Sequence, residues 1–228
     1  MPCMLLITKQ GGGSTFGVIT SATFKAFPST PFNSLEVLAT TEPNTDTYWS
    51  AMAYLLSQFP SLGEQGISSY TSFAPNTTSN GAQIGTLSGS FFLPSLFPSN
   101  SSTSLAAALD PIVANISAAY PNQFFFSSNA TAWPSFYDWW FANSGPNDAG
   151  YDLLFGSRLL DERALTANVT ALKEAIQGAT APGLGSGALL VSGKGVWDAV
   201  PRGGSDAVLP AWRKSLVHYS RFFPCPSL

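Results

Sequence analysis

Between residues 15 and 27 apolar and polar positions alternate, with β-branched and aromatic side chains prominent, and the pattern predicts a strand. A proline-rich turn at Pro28 and Pro31 follows, and "SLEVLATT" (34–41) reads as a second strand. The period then lengthens. In "NTDTYWSAMAYLLSQF" the residues Tyr48, Trp49, Met52, Leu55, Leu56 and Phe59 share one helical face, with Asn44 or Thr45 as N-cap. "GISSYTSFA" and "AQIGTLSGSFFLP" predict two strands joined by the turn-rich "PNTTSNG". A helix is expected over "STSLAAALDPIVANISAAY", where Pro111 must kink it or sit near a start. "NQFFFSSNATAW" and "YDLLFGSRLL" read as strands. "DERALTANVTALKEAIQGA" is predicted as one helix, with Asp161 near its start and Gly178 near its end. "GALLVSGKG" and "AWRKSLVHYS" close the pattern as strands.

Helices and strands interleave, and several neighbouring strands have connections too short for a parallel crossover. The expected class is therefore α+β, a largely antiparallel sheet with helices on one face. No internal repeat or long linker interrupts it.

Composition adds a compartment. The 228 residues suffice for one good-sized domain. Charged residues make up 10%, against about 25% in an average soluble protein, and Ser, Thr, Asn, Gly and Pro fill the polar positions. That balance suits a secreted protein. Asn-x-Ser/Thr acceptors stand at Asn76, Asn100, Asn115, Asn129 and Asn168, either by coincidence or as glycosylation sites. The opening "MPCMLLITKQ" has no leader pattern, and no apolar run reaches membrane-spanning length. A net charge of −3 without a basic patch gives no basis for a nucleic-acid or membrane-surface partner. Cys3 and Cys225 could staple the two ends, although two free thiols are the favoured reading.

Most common chemistries fail on residue counts. His218 is the only histidine, so a histidine-built zinc site is excluded. No G-x-S-x-G elbow supplies a serine for a His218-based triad, and "SLVHYS" reads as a strand-face histidine. "GALLVSGKG" has the wrong glycine spacing for a P-loop, with Gly195 where Ser or Thr is needed. "GLGSG" lacks the third glycine of a dinucleotide fingerprint. The pair Asp161–Glu162 fits the favourable charge of a helix start better than acid–base catalysis. "AWPSFYDWWF" could stack on sugars or flat ligands, and a packed helix or turn is the favoured alternative.

The glycine run is different. Consecutive glycines let backbone N–H groups approach a phosphate or a heterocycle carbonyl without an intruding Cβ. "GGGSTFGVITSATFKAFP" resembles the segment that closes the flavin-binding domain in the vanillyl-alcohol oxidase/p-cresol methylhydroxylase superfamily, above all in fungal berberine-bridge-enzyme-like oxidases. Gly11, Gly12, Gly13, Thr15, Phe16, Gly17, Val18 and Thr20 match the family pattern position by position. "AVLPAWRKSLVHYS" is similar to a second family segment through Val208, Pro210, Ala211, Trp212, Arg213, Leu216 and His218, with Leu209 where the family has asparagine. "GSRLL" (156–160) resembles a third, with Asp161 in place of the usual proline.

The resemblance implies an FAD-dependent oxidoreductase. Hydride would pass from a substrate C–H bond to flavin, with O2 as electron acceptor and a small alcohol, sugar or secondary metabolite as substrate. It implies FAD contacts at Gly11, Gly12, Gly13, Ser14, Thr15, Phe16, Gly17, Val18 and Thr20, and a base in the substrate domain, for which Tyr70, Tyr151 and Glu64 are candidates. It also implies that residues 1–28 end the FAD-binding domain, and that residues 29–228 form a C-terminally truncated substrate-binding domain. The chain would then be an internal piece of a secreted flavoprotein whose leader lies in the front part. The alternative is a secreted binding module, or an inactive fragment of such an enzyme, that keeps a pocket without redox chemistry.

Overall fold

The computed structural model describes residues 20, 21, 23, 26, 28–94, 105–144, 153–180, 185–199 and 209–224. Among the described residues seven strands form one sheet, β1 (Phe32–Thr41), β2 (Ser68–Ser79), β3 (Ala82–Pro94), β4 (Phe125–Trp133), β5 (Leu153–Leu160), β6 (Ser186–Leu190) and β7 (Val217–Pro224). Their order is β4-β1-β3-β2-β6-β7-β5, and the pairings are antiparallel. The helices are α1 (Asp46–Ser57), α2 (Phe59–Glu64), α3 (Leu105–Ala119), α4 (Phe136–Asn143), α5 (Glu162–Thr166), α6 (Val169–Ala179) and α7 (Lys194–Trp197). The expected α+β class with an antiparallel sheet is what the chain adopts.

Strand alternation sorts the two sheet faces. Leu35 and Ala39 of β1, Leu87 and Phe91 of β3, Phe73 of β2, Ala188 and Leu190 of β6 and Val217 of β7 point one way and are buried. Helix α1 packs on this face with Tyr48, Trp49, Met52 and Leu56 buried, as its period predicts. Thr45 is the N-cap, its hydroxyl accepting from Tyr48 N–H at 3.1 Å. Asn44 instead takes a left-handed turn (φ 53°) and accepts from the Trp49 indole at 3.0 Å. The Tyr48 ring lies on the strand at Gly85, where a Cβ would come within 2.9 Å of it. Its hydroxyl donates to the Thr86 carbonyl at 3.1 Å, and burial pushes its pKa upward, so it stays neutral in the fold.

Three sequence readings need correction. The β2–β3 connection is not a seven-residue loop. Strand β2 runs on to Ser79 through a bulge between Ala74 and Thr77, and Asn80–Gly81 alone turn the chain, with φ of 50° and 81°. Residues 161–179 form two helices. Asp161 caps α5, but Asn168 accepts from Ala171 N–H at 2.9 Å and starts α6 afresh. "AWRKSLVHYS" begins as a 3-10 turn over Pro210–Arg213, with β7 starting only at Val217. Pro111 lies inside α3, exposed, while Leu105, Leu109, Ile112 and Ile116 form the buried stripe.

Two contacts fix the helical layer and each carries a prediction. Gly193 precedes α7, and a Cβ there would stand 2.8 Å from the Gly63 carbonyl oxygen and 3.1 Å from its Cα. Both walls are backbone, so Gly193→Ala must move α2 or α7. The expected loss is about 1–3 kcal/mol, read by denaturant unfolding. Lys173 of α6 pairs with Asp46 at the start of α1 at 2.6 Å. The hydrogen bond from Lys173, then its charge, hold the Asp46 carboxyl below its usual 3.8. The folded pKa is therefore the lower one. The pair supports the fold above the ordinary carboxylate value, and that support is lost as pH falls through the depressed one. An NMR titration is expected to place the Asp46 midpoint below 3.8, and Lys173→Met to raise it.

Candidate functional site

The second sheet face is not covered by the helical layer. Strand register sets one row across it, running Asn129, Glu36, Ser90, Tyr70, Leu189, His218 and Leu159 from β4 to β5. Strands are spaced about 4.8 Å apart, so Glu36 and Tyr70 start roughly 10 Å from each other, and Tyr70 and His218 likewise. The row thus carries a carboxylate, a phenol and the chain's one imidazole. Ser90 donates to the Glu36 carboxylate and fixes it against the sheet.

Tyr70 stands at the centre, on the fourth of the seven strands, and is 52% exposed. It lines two adjoining depressions. One, of about 560 Å³, is polar, with Glu36, Ser72, Ser88, Ser90 and Asn129. The other, of about 530 Å³, is more apolar, with Phe32, Phe92, Phe136 and the incoming Pro28 and Thr30. The Tyr70 ring meets Phe92 edge-on at 5.8 Å. Farther along, Trp212 meets His218 edge-on at 5.4 Å. The 3-10 turn places that indole, and the hydroxyls of Ser192 and Ser215 donate to the Trp212 carbonyl.

Helix α4 sits on this open face and not with the other helices. Ser135 caps it, and Phe136 and Trp139 face the sheet, Phe136 against Phe32 and Trp139 against Phe92. The "FYDWW" aromatics are therefore a helix, as favoured, packed on the sheet through Phe136 and Trp139 with its other side exposed. None of its residues is buried, and Tyr137 and Phe141 stack on its outer side, Phe141 73% exposed. The buried Trp139 indole N–H has no acceptor among the described residues.

Exposed large apolar side chains collect on this side. Leu38, Tyr70, Phe125 and Phe155 stand on the open face, Val191 lines its apolar depression, and Phe136, Tyr137, Trp140 and Phe141 belong to α4. An antiparallel sheet that meets water carries polar residues there. This one has the surface of a binding face.

Of the candidate bases, Tyr70 is on the open face. Glu64 ends α2 in the opposite layer, exposed and away from the row, which removes it as a base for chemistry on this face. Tyr151 lies outside the described residues, as do Gly11, Gly12, Gly13, Ser14, Thr15, Phe16, Gly17 and Val18; Thr20 is described and exposed. Of the glycosylation acceptors, Asn76, Asn115, Asn129 and Asn168 are exposed, and Asn100 lies outside the described residues. Cys3 and Cys225 lie outside them too. Sequence reasoning missed Glu36 and Ser90. The signal was present in "SLEVLATT", where Glu36 falls between Leu35 and Val37 and so faces away from the core. Among the described residues no cluster of His, Cys, Asp and Glu could hold a metal ion, and no helix is long and apolar enough to cross a membrane.

No model of a known protein family matches the chain. An uncharacterized FAD-linked oxidoreductase of Arthroderma benhamiae is 30% identical over 230 residues, which is 92% of this chain and 36% of that protein. The FAD-linked oxidoreductase patO of Aspergillus clavatus is 26% identical over 212 residues, 91% of this chain and 34% of that protein. The chain thus spans about a third of the length of these relatives. Among solved structures, the VAO-type flavoprotein MtVAO713 of Myceliophthora thermophila superposes with a TM-score of 0.68 at 23% identity, over 85% of this chain and 34% of that one. By sequence the chain is a relative of fungal FAD-linked oxidoreductases, and by fold it corresponds to about a third of a VAO-type flavoprotein.

Proposed function

We propose that the chain is the substrate-binding part of an FAD-dependent oxidoreductase, and that flavin and substrate lie against the open sheet face. The observation that carries this reading is the gathering of exposed aromatic and aliphatic side chains on that face, around a row of Glu36, Tyr70 and His218. Residues 1–28 are the end of the FAD-binding domain and 29–228 the substrate-binding domain. Pro28 and Thr30, which continue from the glycine segment, line the open-face depression, in keeping with that division. The described residues fit a planar ring system, because the exposed rings of Tyr70 and Phe136 offer an apolar aromatic surface beside hydroxyl donors. Gly11, Gly12, Gly13, Ser14, Thr15, Phe16, Gly17, Val18 and Thr20 are assigned to the flavin on resemblance.

When bound, FAD supplies the acceptor for a hydride from the substrate C–H bond, with O2 as the final electron acceptor. The chain's own residues bind and orient the substrate. Tyr70, central and shared by both depressions, hydrogen-bonds the substrate hydroxyl and is the group through which its proton leaves. Glu36 and the serines around it hold further polar groups by hydrogen bonds. A small alcohol, sugar or hydroxylated secondary metabolite suits this mixture of hydroxyls and aromatic rings. Helix α4 and Trp212 wall the site against water.

The parent protein is read as secreted and glycosylated. Asn129 is the exception among the exposed acceptors, since it stands in the polar depression. A glycan there and a substrate there exclude each other.

The test is the visible spectrum of the protein isolated from its natural source. A flavin absorption that bleaches anaerobically with an oxidisable alcohol or sugar is expected. A colourless protein would remove the reading.

A further inference from the structure

The helical layer carries a groove that the proposed oxidoreductase chemistry does not use. It lies between α1, α3 and α6, has a volume of about 430 Å³, and is lined chiefly by Tyr54, Asn115, Tyr120, Val169 and Lys173. That size is in the range of small-ligand clefts. Asn115 belongs to the acceptor Asn115-Ile116-Ser117, and its Nδ2 donates to the Tyr54 hydroxyl at 2.8 Å. The side-chain nitrogen that would carry a sugar is therefore at the groove, beside two phenol rings. Val169 is exposed at the same groove, an apolar surface that water otherwise covers.

We propose that Asn115 carries an N-linked glycan whose first N-acetylglucosamine residue seats in this groove against Tyr54 and Tyr120. The inference rests on the secretory reading above. The donor is a lipid-linked oligosaccharide diphosphate. Its C1–O bond to phosphate breaks, a C1–Nδ2 bond to Asn115 forms, and one amide proton leaves with the lipid diphosphate. The second amide hydrogen remains, so Asn115 can still donate to Tyr54. The apolar face of the sugar ring covers the phenol rings, and its acetamido group meets the polar rim at Ser50 and Thr170.

The full chain is expressed behind a signal peptide in a eukaryotic secretory host. It is deglycosylated with peptide N-glycosidase in heavy-oxygen water, and each converted asparagine is mapped by mass. Conversion at Asn115, abolished by Ser117→Ala, is the expected result. In the folded protein, endoglycosidase cleavage between the first two sugars should be five- to tenfold slower at Asn115 than in Tyr120→Ala, about 1–1.4 kcal/mol of seating. If Tyr120→Ala does not fold, Asn76, which lies outside the groove, provides the comparison within the unchanged protein. Asn115 left bare while Asn76 or Asn168 is modified would overturn this site and leave the secretory reading standing. No modification at any acceptor would overturn both. A glycan at Asn115 cleaved as fast as the comparison would overturn the seat.

Discussion

Tyr70→Phe is expected to slow substrate oxidation by the flavoprotein roughly 10²- to 10⁴-fold, the usual worth of a positioned acid–base group. The substitution removes one oxygen from a side chain that is 52% exposed. No buried partner is left unpaired, and the ring contact with Phe92 at 5.8 Å is kept. Stability should therefore change by less than about 0.5 kcal/mol. The measurement is the anaerobic rate of flavin bleaching by substrate at saturation, beside a melting curve. Glu36→Gln separates the roles. Its carboxylate accepts from Ser90 and is placed to bind, so it should raise KM more than it lowers kcat. A Tyr70→Phe protein with unchanged bleaching rate would move the proton transfer to another residue of the row.

Phe73→Ala carries the largest expected loss of stability, about 3–5 kcal/mol, out of a total that for such a domain is of order 5–15 kcal/mol. Phe73 is 1% exposed, on the core face of the central strand. Its neighbours are Leu87 on β3 and Ser186 on β6, and β2 is hydrogen-bonded on both sides. The backbone cannot close over the gap, because both flanking strands hold their spacing. Gly185 already approaches so closely that a Cβ on it would stand 3.2 Å from the Phe73 carbonyl oxygen. Urea unfolding should show a lower midpoint with the slope unchanged. Leu38→Ala is the control. It lies on the open face of β1, 42% exposed, and truncating it in this chain should cost no more than about 0.5 kcal/mol. Equal losses for the two would mean that the faces have been assigned wrongly.

The parts of the fold legible in the sequence are those set by local period. Tyr48, Trp49, Met52, Leu55, Leu56 and Phe59 recur at helical spacing, and all are buried except Leu55, which is partly so. Asn44 or Thr45 as a cap and Asp161 near a helix start are legible because a short polar side chain ahead of an apolar stripe has few other uses, and the structure makes Thr45 and Asp161 the caps. Misread elements were those where a local feature admits two outcomes. Asn168 interrupts a run that propensity alone would continue, and its cap creates two helices from one. Pro75 and Asn76 look like turn residues, yet they form a bulge within β2, and Asn44 N–H donates to the Pro75 carbonyl at 2.7 Å. The aromatic run of α4 gives no contrast between faces, so nothing in it tells which sheet face it will cover.

The site was legible only in pieces. His218 and Tyr70 could be named as strand residues, but they are far apart in the chain. Only the register through β2, β6 and β7 puts them in one row. Glu36 joins it through β3, by pairing with Ser90. Such placement follows from long-range pairing, which no window of sequence contains.

The central claim is that flavin and substrate cover the open sheet face. Hydroxyl-radical footprinting of the flavin-loaded protein from its natural source, stripped of N-glycans by peptide N-glycosidase so that Tyr54 and Tyr120 are bare, tests it. Tyr70 is more exposed than Tyr54 or Tyr120 in this chain. With the face covered, Leu38 and Tyr70 should be oxidised several-fold more slowly than Tyr54 and Tyr120, and removal of the flavin should reverse the order for Tyr70. Oxidation of Tyr70 faster than Tyr54 in the flavin-loaded protein would contradict the account.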